Sequence, residues 1–89
     1  MEIKFDPDKD ASNRQKHGLS LADASRMDFD TAIYAPDHRY DYGEDRTQAL
    51  GAVGGRLHML VFTMRGDVLR AISLRRANPR EVRRYAKKA

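Results

Sequence analysis

The chain of 89 residues has no cysteine, which removes disulfides, a thiolate zinc site and a thiol nucleophile and fits a reducing compartment. No apolar run is long enough to span a bilayer. The N-terminus MEIKFD also lacks the basic-then-apolar order of a secretory signal, so a cytoplasmic location without a membrane partner is expected. No internal repeat, linker or low-complexity stretch divides the sequence, and its length suits one small domain over residues 1–89 with one modest core. Helix-turn-helix and zinc-finger spacings are missing too. Four acids between Pro36 and Arg46 (Asp37, Asp41, Glu44 and Asp45) match no calcium or zinc loop. They read as a solvated loop, with no metal and no cofactor.

What the chain does have is basic charge in one place. The formal net charge is +4 and the pI near 9.7. Residues 65–89 carry nine basic and two acidic side chains, whereas residues 1–64 carry eight and eleven. The C-terminal third is therefore a cationic surface on an otherwise acidic chain, suited to nucleic acid or to an acidic protein. Within it the stretch RGDVLRAISLRRANPREVRRY reads as a strand followed by a helix. Strict alternation puts Leu69, Ala71, Ser73 and Arg75 on one strand face and Arg70, Ile72 and Leu74 on the other. Asn78 is a helix N-cap, Pro79 suits the first helical position, and Glu81 completes a capping box. Val82, Tyr85, Ala86 and Ala89 then form a narrow apolar stripe among basic residues.

Upstream, Glu2 to Phe5 alternates as a short strand. Asp6, Pro7 and Gly18 bound a helix from 7 to 17 that is almost wholly polar. Ser20 and Asp23 open a second short helix with Leu21, Ala24 and Met27 at helical spacing. Thr31 to Ala35 reads as a strand and 36–45 as a polar loop of no assigned role. From 46 to 75 the pattern is a three-strand antiparallel meander, with strands at 46–53, 56–64 and 68–75. Gly54-Gly55 supplies the positive φ angles of a two-residue hairpin turn, and a second turn falls at Arg65 to Asp67.

These residues resemble the BrnT toxins, RelE-like ribonucleases of bacterial toxin-antitoxin pairs. The resemblance rests on Phe5-Asp6-Pro7, on Asn13, Lys16, His17 and Gly18, and on Glu44 and Arg46 before Leu50 and Gly51. It continues through Thr63 and Arg65, and then Arg70, Ile72, Ser73, Arg75, Ala77, Glu81 and Tyr85. Leu74 departs from it, standing where a small residue is expected. The resemblance implies an α+β, RelE-like domain: an antiparallel sheet made of the meander plus N-terminal strands, two N-terminal helices on one face and a basic C-terminal helix. It also implies messenger RNA as substrate and a BrnA-like ribbon-helix-helix antitoxin, the hetero-oligomer binding operator DNA through the antitoxin.

Metal-free RNA cleavage needs the 2'-hydroxyl deprotonated, the phosphorane charge stabilised and the 5'-oxygen protonated. The candidate catalytic set is Arg65, Arg70, Ser73, Arg75, Glu81 and Tyr85, with Arg65 and Arg75 meeting one phosphate as bidentate donors. Glu81 serves equally as base, as arginine partner or as capping residue, and Tyr85 as base stacker, proton donor or core residue. The candidate RNA-binding set is His17, Arg46, Arg76, Arg80, Arg83 and Arg84. His17 can instead bond the last carbonyls of its helix. Three functions compete: an RNA-cleaving toxin masked by its antitoxin, a non-catalytic nucleic-acid-binding module, and a basic protein-interaction module. The motifs favour the first.

Overall fold

The computed structural model describes residues 1–39, 41 and 43–88; Tyr40 and Tyr42 of the polar loop and Ala89 of the apolar stripe lie outside them. The elements in order are β1 (Glu2–Lys4), α1 (Pro7–His17), a 3-10 helix (Leu21–Arg26), β2 (Ile33–Pro36), β3 (Thr47–Val53), β4 (Arg56–Arg65), β5 (Val68–Arg76) and α2 (Pro79–Lys88). They build one five-stranded sheet of order β1-β5-β4-β3-β2.

The sheet is mixed rather than antiparallel. Strands β2 to β5 run antiparallel to their neighbours, but β1 lies parallel to β5, with Ile3 opposite Leu69. A parallel pair needs a long crossover, and everything between β1 and β5 provides it. The second N-terminal helix is also not α-helical. Leu21 and Ala24, three residues apart, align on one edge of a 3-10 helix (Leu21–Arg26), and Met27 follows in extended backbone as its C-cap; all three are buried. Ser20 caps it by accepting from the Ala22 N–H at 3.1 Å.

Strict alternation fails in β5 for a definite reason. Val61 pairs with Ser73 and Phe62 with Ala71, leaving Ile72 as the extra residue of a β-bulge. Ahead of the bulge Leu69 and Ala71 face the core; beyond it Leu74 does. Arg70, Ser73 and Arg75, opposite Thr63, Val61 and Met59, consequently share the other face. Sequence periodicity had separated Arg70 from the other two. Leu74, the residue that departs from the BrnT pattern, is fully buried core.

Helix α1 has almost no apolar face, and polar groups dock it instead. Beyond Arg70 the outer edge of β5 has no β1 partner, and the Asn13 side chain takes that place. Its amide donates to the carbonyls of Leu74 (2.9 Å) and Leu19 (2.8 Å), and its oxygen accepts the Leu74 N–H at 2.9 Å. One turn earlier, Asp10 accepts from the Leu21 N–H at 2.7 Å and the Ser20 hydroxyl at 3.1 Å. The Asp10 and Asn13 side chains are both buried. The end of α1 is thereby fixed relative to β5, and this geometry positions the site.

Candidate functional site

Lys9, Ser12, Asn13, Lys16 and His17 recur along one stripe of α1. With Ile72 and Ser73 of β5, and Arg46 reaching in from the start of β3, they line a cavity of about 270 Å³. No carboxylate among the described residues lines it. Lys9 and Lys16 form no ion pair among those residues, so the cavity holds uncompensated positive charge.

Glu44 joins Arg46 to Arg65, with Oε2 3.2 Å from Arg46 Nε and Oε1 3.6 Å from Arg65 Nη2. The Arg46 hydrogen bond, helped by the nearby Arg65 charge, holds the Glu44 carboxyl below its ordinary range. On the same sheet face, Ser73 lies between Arg70 and Arg75, about 7 Å along the strand from each, counting two residue steps on β4. Arg65 and Arg75 do not meet. Six β4 steps separate their positions, roughly 20 Å, so the two guanidiniums do not share one spot on the sheet.

Arg75 is held by Glu81. Its two terminal nitrogens donate to the two carboxylate oxygens at 2.8 Å each. Glu81 Oε1 also accepts from the Asn78 N–H at 3.0 Å, while Asn78 Oδ1 accepts from the Glu81 N–H at 2.8 Å, closing the capping box. Capping and arginine binding are thus one arrangement. The Arg75 hydrogen bond, reinforced by the Asn78 N–H, keeps the Glu81 carboxyl below its ordinary range, and the same contact raises the Arg75 guanidinium. A carboxylate so committed is a positioning group for Arg75 rather than a free base.

The remaining candidates fall elsewhere. Tyr85 is half-buried, its hydroxyl donating to the Thr31 carbonyl at 3.1 Å, which ties α2 to the loop before β2. Arg80, Arg83 and Arg84 are exposed on α2, and Arg76 is exposed on the opposite sheet face, opposite His58. None of these four lines the α1–β5 cavity. Of the stripe residues described, Val82 and Ala86 are exposed and Tyr85 is half-buried, while Glu81 is buried on that helix. In the polar loop, Asp37 is not solvated; it is buried and grips Arg39 through both carboxylate oxygens at 2.9 and 3.0 Å.

Structure thus brings His17, Arg46 and Ser73 to one cavity, flanked by Arg70 and Arg75. The sequence alone does not single out Lys9 or Ser12, and it offers Asn13 and Lys16 only as motif residues; the structure sets all four on the cavity wall. On a helix that is polar almost all round, nothing local distinguishes this stripe from the others.

Fold and site define a small α+β protein with a cationic cleft on one face of its sheet. The family profile described as "Ribonuclease toxin, BrnT, of type II toxin-antitoxin system" matches residues 5–81. The crystal structure of the Brucella abortus ribonuclease toxin, BrnT, is similar at 32% identity with a TM-score of 0.72, covering 88% of this chain and 97% of that one. No curated protein matches the sequence. The chain belongs to the BrnT family of ribonuclease toxins of type II toxin-antitoxin systems. None of the helices among the described residues is long and apolar enough to cross a membrane.

Proposed function

We propose that this protein is a cytoplasmic, metal-independent endoribonuclease that cleaves messenger RNA in the RelE-like manner and so inhibits translation. A BrnA-like ribbon-helix-helix antitoxin neutralises it by covering the basic face, and supplies the operator-DNA binding of the hetero-oligomer. The observation that carries the reading is the β5 bulge, which gathers Arg70, Ser73 and Arg75 on one face beside the cationic cleft. Two planar guanidiniums on either side of a central serine suit a bound phosphodiester backbone. Lys9, Lys16 and Arg46 add charge for the phosphorane. Glu81 fixes the plane of Arg75, and Arg65 holds RNA at the far end of the hairpin. Arg76, Arg80, Arg83 and Arg84 attract RNA from outside the cleft, and Tyr85 anchors the helix that carries three of them.

The test is expression of the chain with and without the neighbouring antitoxin reading frame, following growth and intact messenger RNA. Messenger RNA should be fragmented only when the chain is expressed alone. Growth arrest with messenger RNA intact would replace this reading by a non-catalytic binding module.

A further inference from the structure

We propose that the scissile phosphodiester sits in the α1–β5 cleft and that His17 is the general base there; the proposal rests on the ribonuclease reading above. His17 is exposed at the last position of α1, and its imidazole forms no hydrogen bond among the described residues. The role of closing the helix, which the sequence offered it, is taken by the Gly18 N–H, which donates to the Arg14 carbonyl at 2.8 Å with Gly18 at φ 69°. The imidazole is therefore uncommitted.

The other two histidines are placed differently. His58 is buried with Nδ1 2.7 Å from the Arg56 carbonyl, and His38 lines a separate hollow beside β2. His17 alone of the three lies in the cleft, with Lys9, Lys16, Arg46 and Ser73 around the same space. Its support is firm, because Asn13 binds α1 to Leu74 one turn before it.

The chemistry balances without a co-reactant. The neutral imidazole takes the proton of the ribose 2'-hydroxyl, the 2'-oxygen bonds to phosphorus, and the bond from phosphorus to the 5'-oxygen breaks. The leaving 5'-oxygen takes a proton from water, the hydroxide so formed takes the proton held by the imidazolium, and the product ends in a 2',3'-cyclic phosphate. Lys9, Lys16 and Arg46 stabilise the charge that builds on the non-bridging oxygens. Only the neutral ring can act as base, so cleavage should be slower in acid, and that acid limb should depend on residue 17.

The experiment is single-turnover cleavage of a mixed-sequence RNA oligonucleotide by the full chain at saturating protein, from about pH 5 to 9, for wild type, His17→Gln and His17→Ala. RNA affinity is measured in parallel. Both variants should cleave about 100-fold more slowly or worse, bind RNA nearly as well, and lose the acid limb of the pH profile. The exposed position makes misfolding an unsuitable explanation for such a loss, and a thermal melt of each variant checks it. A variant that cleaves at the wild-type rate, or retains the acid limb, overturns the role of His17 while leaving the ribonuclease reading intact. A wild-type chain that cleaves no RNA overturns both.

Discussion

Replacing Asn13 with alanine removes the contact that substitutes for a missing strand. Three hydrogen bonds vanish: the N–H and C=O of Leu74 are left inside the protein without partners, and the part-buried Leu19 carbonyl loses its donor. A buried backbone group left unpaired costs about 1–3 kcal/mol, so even at the low end for the two Leu74 groups the variant should lose about 2 kcal/mol. In a domain of this size that corresponds to roughly 8–16 °C in Tm. Asn13→Asp keeps the shape but sets a carboxylate oxygen against two carbonyls, and should be at least as damaging. The assay is urea and thermal unfolding followed by circular dichroism, with amide exchange at Leu74 as the local readout. A loss below about 1 kcal/mol with Leu74 still protected would refute the claim that Asn13 completes the sheet edge. Because α1 carries Lys16 and His17, the same variant should also cleave RNA more slowly at temperatures where it remains folded.

Gly51→Ala should destabilise by about 1–3 kcal/mol in a denaturant melt, because the new Cβ would lie 2.9 Å from the Ala32 Cβ and 3.1 Å from Met27; an unchanged midpoint would contradict this close packing. Arg75 and Asn78 hold the folded-state pKa of Glu81 below the ordinary 4.5, so the stabilisation is complete above that pH and is lost as pH falls through the depressed value. Acid titration of stability should therefore show the wild type losing its advantage over Glu81→Gln below pH 4.5, and parallel curves would refute the linkage. Arg70→Ala should slow cleavage by about 2–4 kcal/mol of barrier with little change in RNA affinity, and Arg75→Lys should not rescue Arg75, since a point charge cannot reproduce a fork. Lys87→Ala and Arg83→Ala should instead weaken binding and flatten its salt dependence, by a slope of about 0.7 per lost phosphate contact.

Local signals in the sequence located most of the elements. Asp6 with Pro7, Asn78 with Glu81, and Gly54-Gly55 each act within a few residues, and the helices Pro7–His17 and Pro79–Lys88 and the β3–β4 hairpin begin and end accordingly. What escaped depends on residues far apart in the chain. The pairing of β1 with β5 joins residues at opposite ends of the sequence, and nothing local distinguishes a parallel edge from an antiparallel one. The bulge at Ile72 is invisible to alternation because it inserts one residue into an otherwise regular pattern, and it reversed the face assigned to Arg70.

The site was legible in kind but not in arrangement. Arg75 was expected to meet Arg65, whereas the structure joins it to Glu81, for which an arginine partner was one of three roles offered. The contribution of α1 was obscured because a helix with no apolar face gives no periodic hint of which side it presents. Its orientation is set by polar contacts of Asp10 and Asn13, above all the pair of hydrogen bonds between Asn13 and Leu74, 61 residues away.

The central claim is cleavage of RNA through its own 2'-hydroxyl by side chains of this protein. Its most direct test is incubation of the purified chain, in EDTA, with an RNA oligonucleotide and with the same oligonucleotide carrying a single 2'-deoxy residue at the cleaved position. The ribose substrate should be cut to a product ending in a 2',3'-cyclic phosphate, and the deoxy substrate should survive. Cleavage of the deoxy position, or activity that disappears in EDTA and returns only with added magnesium or zinc, would contradict it.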